Sequence, residues 1–222
     1  MFQFIKGASI EDISQLKEGY RVRGNVLNAN VSAEKIPSLF EAFLNSMRDE
    51  ELLFMFIEAP CSLEDELKYN NLGPDDEPSI KSYHLDLFYL DGLLREHMLK
   101  LLKSEVGILL INDGRVSFGF GSLETHVELG KYKYNTFTGY SIDHDISCVS
   151  DAFDETGIPR VTDYVSACDL LSYDNPGRSS AFEFNGKDIF SLLEDLKELG
   201  IYKAETREEY TGKVVWKPEE EL

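Results

Sequence analysis

The segment Val106–Ser122, VGILLINDGRVSFGFGS, carries the strongest local signal in the chain. Val106 to Ile111 is a continuous apolar run, Asn112-Asp113-Gly114 interrupts it, and Arg115 to Gly121 alternates. Asp-Gly between two apolar runs is a hairpin signal, because both residues tolerate the positive φ that a tight turn needs. In the second run Val116, Phe118 and Phe120 share one face, while Ser117, Gly119 and Gly121 share the other. The reading is a central antiparallel hairpin over residues 106–121, a continuous apolar strand beside an alternating one.

Amphipathic elements surround that hairpin. Ser9-Ile10-Glu11-Asp12 reads as a capping-box-like helix start, with Gly19 as its stop. Residues 20–28 read as a strand. Ile36, Leu39, Phe40, Phe43, Leu44 and Met47 recur at three and four, which makes one helical stripe, and Pro37 suits its first turn. Leu52 to Ile57 and Tyr83 to Leu90 read as strands, and Asp91 as the cap of a helix carrying Leu94, Met98, Leu101 and Leu102 inward. Extended, Tyr132, Tyr134 and Tyr140 would share one strand face. Ile189, Leu192, Leu193 and Leu196 form a final helix that Asn185 caps and Gly200 closes. The fold class expected is α+β, a sheet of mixed direction covered by amphipathic helices. One domain over 1–222 is expected, with two subdomains, 1–142 and 143–222, as the alternative.

Composition narrows the functional classes. Asp and Glu number 41 against 22 Lys and Arg, a formal charge of -19. A phosphate backbone is repelled by such a surface, so nucleic acid is not an expected partner. Cys61, Cys148 and Cys168 are widely spaced and odd in number, which suits a reducing cytoplasm better than a disulfide framework. No stretch approaches the ~20 apolar residues of a membrane span, and the start MFQFIKGASIEDIS lacks a signal-peptide pattern.

Motifs for chemistry are partial. Gly119 and Gly121 follow a strand, yet Glu124 stands where a dinucleotide fingerprint needs glycine, so the simpler reading is a close approach by another element. His84 with Asp86, and Asp143, His144 and Asp145, could contribute to a divalent-metal site, each set being more simply a solvated face or a cap. His126 and Glu128 form another same-face pair. Cys61 opens a helix, where its pKa could fall, although a small buried hydrophobe is the simpler reading. No catalytic set and no cofactor are assigned.

The acidic charge is concentrated in two blocks, residues 64–91 and 143–174, which could steer a basic protein. Asp75, Asp76 and Glu77 in the breaker-rich loop, with Tyr132 and Tyr134 as aromatic anchors, are the expected partner-binding residues. The strings YHLDLFYLDG (83–92), LLINDGRVSFGFGS (109–122) and GKYKYN (130–135) give the middle third an order of features that resembles bacterial toxin-immunity-type single-domain proteins. The resemblance implies an acidic, cytosolic, non-enzymatic protein that covers a basic toxin, and it transfers no functional residue. The reading that results is an acidic cytoplasmic protein that masks a basic partner. The alternative is an enzyme or small-ligand domain built on the His/Asp groups.

Overall fold

The computed structural model describes residues 2–72, 82–143 and 145–218. In chain order the strands are β1 (Ala8–Ile10), β2 (Gly19–Arg23), β3 (Val26–Asn30), β4 (Leu52–Pro60), β5 (His84–Leu94), β6 (Ser117–Ser122), β7 (Val127–Lys131), β8 (Thr136–Ser141), β9 (Gly177–Ser179), β10 (Tyr202–Glu208) and β11 (Val214–Trp216). The helices are α1 (Ile36–Asn45), α2 (Leu63–Tyr69), α3 (Arg95–Lys103), α4 (Glu105–Asn112), α5 (Ser147–Glu155) and α6 (Ile189–Leu196). Nine strands form one sheet in the order β11-β10-β5-β4-β6-β7-β8-β3-β2, and β1 pairs with β9 in a small second sheet. The α+β class is as expected.

Two features of the expected sheet are corrected. The first is the hairpin. Val106–Asn112 belongs to helix α4, not to a strand, and β6 pairs with β4 and β7 instead. A short continuous apolar run has no period, so it fits a buried helix as well as a buried strand. Ser104 decides between them. It ends α3, and its hydroxyl accepts from the Val106 N–H at 3.2 Å to open α4. Leu109, Leu110 and Ile111 are buried where α4 packs against the helices α3, α1 and α6 and joins the main core.

Asn112-Asp113-Gly114 is consequently a helix exit that docks onto distant chain. The Asn112 carbonyl accepts from Gly7, Gly114 donates to Ser180, and the Asp113 carboxylate accepts from the Arg115 and Phe182 N–H groups. A Cβ on Gly114 would lie 1.8 Å from the Gly7 carbonyl oxygen, so only glycine fits this approach.

The second correction concerns direction: every ladder between named strands is antiparallel. The crossover through α3 and α4 does carry the chain from β5 to a strand running the same way, β6. It seats β6 on the far side of β4, so β4 separates the two. Nor is there a helix at 11–18; that stretch links β1 to β2.

One face of the sheet carries the core. Paired residues share a face, and the row Phe88, Ile57, Phe118, Lys131, Phe137, Ala29 and Tyr20 crosses seven strands on that face. Phe40 of α1 packs on it, with ring centroids 4.9, 5.3 and 5.5 Å from Phe118, Phe120 and Phe137. Each of α1, α3, α4, α5 and α6 contributes apolar residues to this cluster. The opposite face has its own small cluster, Phe54, Phe56 and Leu87 with Tyr89 and Tyr132, and no helical residue belongs to it. Among the described residues no helix is long and apolar enough to cross a membrane.

Candidate functional site on the open sheet face

The open face is ordered by register. Phe54 lies beside Gly121, then Glu128, then Tyr140. Tyr202, Tyr89, Phe56, Gly119, Gly130 and Thr138 make the next row, and Glu205, Leu87, Glu58 and Ser117 the one after it. The three glycines leave room for rings from the neighbouring strand. A Cβ on Gly121 would lie 2.4 Å from the Phe54 ring, and one on Gly119 2.5 Å from the Phe56 ring. A Cβ on Gly130 would meet both Phe56 and Tyr132 within 3.1 Å. Phe54 and Phe56 therefore lie on the sheet and are buried by strand neighbours and Tyr132, with no helical residue in their cluster. What approaches the glycine strand closely is a pair of phenylalanine rings, which accounts for the alternation in SFGFGS without a phosphate loop.

Two carboxylates stand in this aromatic floor. Burial pushes Glu58 above the ordinary carboxylate range, against the pull of Arg207, whose Nη1 is 3.9 Å from it. Burial also raises Glu128, and the negative charge of Glu58 adds to the effect. Glu128 accepts no side-chain hydrogen bond and makes no ion pair among the described residues. The hydroxyls of Tyr89 and Tyr132 are also without a partner there, and both are shifted upward, first by burial and next by Glu128. Glu205 at the edge is different, because Arg207 and Lys217 pair with it. The face thus offers half-buried negative charge, aromatic rings and free hydrogen-bonding capacity, with Arg207 beside Glu58 and no cation on Glu128 among the described residues. A guanidinium or ammonium group supplies what Glu128 lacks, since it neutralises the acid and stacks on the rings.

The residues singled out from sequence are dispersed. Tyr132 belongs to this site. Tyr134 does not, because the chain turns through positive φ at Tyr134 and Asn135, and Tyr134 is buried with its ring against Gly177. Asp75, Asp76, Glu77 and His144 lie outside the described residues. His84 and Asp86 share the helix-covered face, each in its own pair. Glu66 holds the His84 Nδ1 at 2.8 Å, while Thr206 at 2.6 Å and Lys203 at 3.1 Å donate to Asp86. Asp143 pairs with the exposed His126 at 3.0 Å, and Asp145 accepts from Ser147 at the start of α5. Among the described residues no three His, Cys, Asp or Glu side chains are grouped as a metal site. Burial, then Asp86, pushes the Cys61 thiol upward, which disfavours its thiolate.

Glu58, Phe54, Phe56 and Tyr89 are not among the residues singled out from sequence, and Glu128 is named there only as a same-face partner of His126. One signal was available in the sequence: Glu58 is the sole acid within the strand LLFMFIEAP, and glycines alternate on the strand beside it. Comparison of the chain with protein-family models, with curated proteins and with solved structures finds no match.

Proposed function

We propose that this chain is a binding protein that receives a basic side chain of a protein partner on the open face of its sheet. The observation that carries this reading is the Glu128 carboxylate, half-buried on the face that carries Phe54, Phe56, Tyr89 and Tyr132, within the field of Glu58 and with no cation of its own among the described residues. Burying an uncompensated carboxylate opposes folding. A partner that brings an arginine or lysine removes that opposition on binding. The chain's charge of -19 supplies long-range attraction, which raises the rate of encounter with a basic surface. A cytoplasmic immunity-type role, in which the partner is a toxin whose basic cleft is covered, is the specific form of this reading.

A pull-down from lysate of the source cell, run side by side with the double variant Glu58→Gln/Glu128→Gln, tests it. The expected result is a basic protein held by the native chain, released by high salt, and weakened at least about tenfold in the variant, as befits loss of charge-assisted contacts. Equal retention by the variant contradicts the assignment. Reversing Asp75, Asp76 and Glu77 to Lys is expected to slow association with the same partner at low salt, with little change at high salt.

A further inference from the structure

A second site lies away from the open face, in a cleft of about 530 Å³. His84, Arg115 and Ser179 line it, with Tyr83 and Phe190 contributing apolar wall. His84 is 3% exposed. Glu66 clamps it from two sides, because one carboxylate oxygen accepts from the His84 backbone N–H at 2.6 Å and the other meets Nδ1 at 2.8 Å. A carboxylate on Nδ1 places the proton there and leaves Nε2 as the available atom. Nε2 has no hydrogen-bond partner among the described residues.

Two more lining groups have unmet capacity. Arg115 Nε and the Ser179 hydroxyl are both buried without a partner, and four side-chain atoms in all have that status among the described residues. Their co-location is not accidental to the fold, because Gly114 donates to the Ser180 carbonyl at 3.0 Å and so ties the Arg115 segment to β9. Buried polar atoms are normally satisfied, and two unpartnered donors on residues that line the same cleft as His84 call for a ligand with matching acceptors. Of the charges lining the cleft, Arg115 has its Nη2 3.6 Å from Asp113 and its Nε open, Lys133 pairs with Glu209, and Glu66 with His84. The larger neighbouring cleft, about 660 Å³, lacks this property, since its buried Asp86 is bonded by Lys203 and Thr206.

We infer that the cleft lined by His84, Arg115 and Ser179 binds a small ligand bearing an oxyanion group, phosphate or carboxylate. Arg115 Nε and the Ser179 hydroxyl donate to the oxyanion. His84 Nε2 accepts from a hydroxyl or a protonated oxygen of the same ligand, and Tyr83 and Phe190 flank its apolar part. The site is independent of the docking face, so either reading can fail without the other.

The test is a nuclear magnetic resonance titration of the full chain with inorganic phosphate and, separately, with acetate at constant ionic strength, following the ring nitrogens of His84. Saturable movement of Nε2 with a Kd of about 10 mM or tighter is the expected result for such small probes. Response to phosphate alone identifies a phosphoryl ligand, and response to acetate alone a carboxylate. Ser179→Ala is expected to fold normally, because it removes only an unpartnered hydroxyl, and to weaken binding by about tenfold. Arg115→Lys keeps the charge but removes the Nε donor and is expected to weaken it similarly. No saturable response to either anion up to about 50 mM, or binding unchanged in both variants, overturns the inference.

Discussion

Lys131 and Glu128 are three residues apart on one strand, on opposite faces of the sheet, and they are treated in opposite ways. Lys131 is 0% exposed in a row of Ile57, Phe118 and Phe137, and its Nζ donates to the Asp113 and Val116 carbonyls at 3.2 Å each. Burial lowers its pKa to about 7, with the Asp113 charge opposing the shift. The cation on the core face therefore has partners supplied by the fold. Glu128 has burial and a like-charged neighbour, and the fold supplies it with none. A satisfied buried charge fixes structure, whereas an unsatisfied half-buried charge is open to a ligand. The two faces also differ in what buries their rings. Phe40 of α1 covers Phe118 and Phe120, while strand glycines with Tyr89 and Tyr132 receive Phe54 and Phe56.

The largest expected effect separates the faces by stability. Phe40→Ala should cost about 4 kcal/mol, because it leaves a cavity between α1 and the sheet. Phe56→Ala on the open face should cost about 2 kcal/mol, since water can enter where the ring lay. Urea denaturation of both variants measures the difference, and equal losses would mean that the open face is packed like the core.

The next effect concerns pH. The folded pKa of Lys131 lies below the ordinary lysine value of about 10.4, so above pH 7 the unfolded chain holds a proton that the folded chain has released. Stability from this group then rises with pH, by at most about 1.4 kcal/mol per unit. The stability advantage of the native chain over Lys131→Met should grow between pH 7 and about 9. A pH-independent difference would show that Lys131 is not the group responsible.

Glu128→Gln should show the smallest effect and the opposite sign. A carboxylate whose folded pKa is raised contributes stability that is present below its unfolded value, about 4.3, and is lost as pH rises through the folded value. The variant should thus be slightly more stable than the native chain at pH 7, by less than about 1 kcal/mol, and should lose that advantage near pH 4. Destabilisation at pH 7 would make Glu128 a structural residue and remove it from the docking face.

Much of the core was legible because it rests on local periodicity. The stripe Ile36 to Met47 is α1 and its following turn. Gly200 closes the last helix in the left-handed conformation, and the Ile201 N–H donates back to the Leu196 carbonyl. The cap of that helix is Asp188 rather than Asn185, and β5 runs through Asp91 to Leu94. The central hairpin was misread because Asp113-Gly114 has the composition of a turn, and only Gly7 and Ser180, remote in sequence, determine that it is a docking point. The site was harder still. Glu58 and Glu128 come onto one face, two rows and two strands apart, only once β4, β6 and β7 are in register, and an acid in an alternating strand ordinarily faces water. Tyr132 is expected at an interface by type and stands on the open face, but the backbone turn that sends Tyr134 into the core leaves no mark in the alternation.

The most direct test of the docking face is a carboxyl-detected titration of Glu58 and Glu128, with and without a short arginine-rich peptide. Both pKa values should be raised in the free protein and should fall when the peptide is added, with shifts centred on Phe54, Phe56, Tyr89 and Tyr132. Ordinary values for both acids in the free protein, or peptide shifts spread over the acidic surface and absent from these rings, would contradict the docking face.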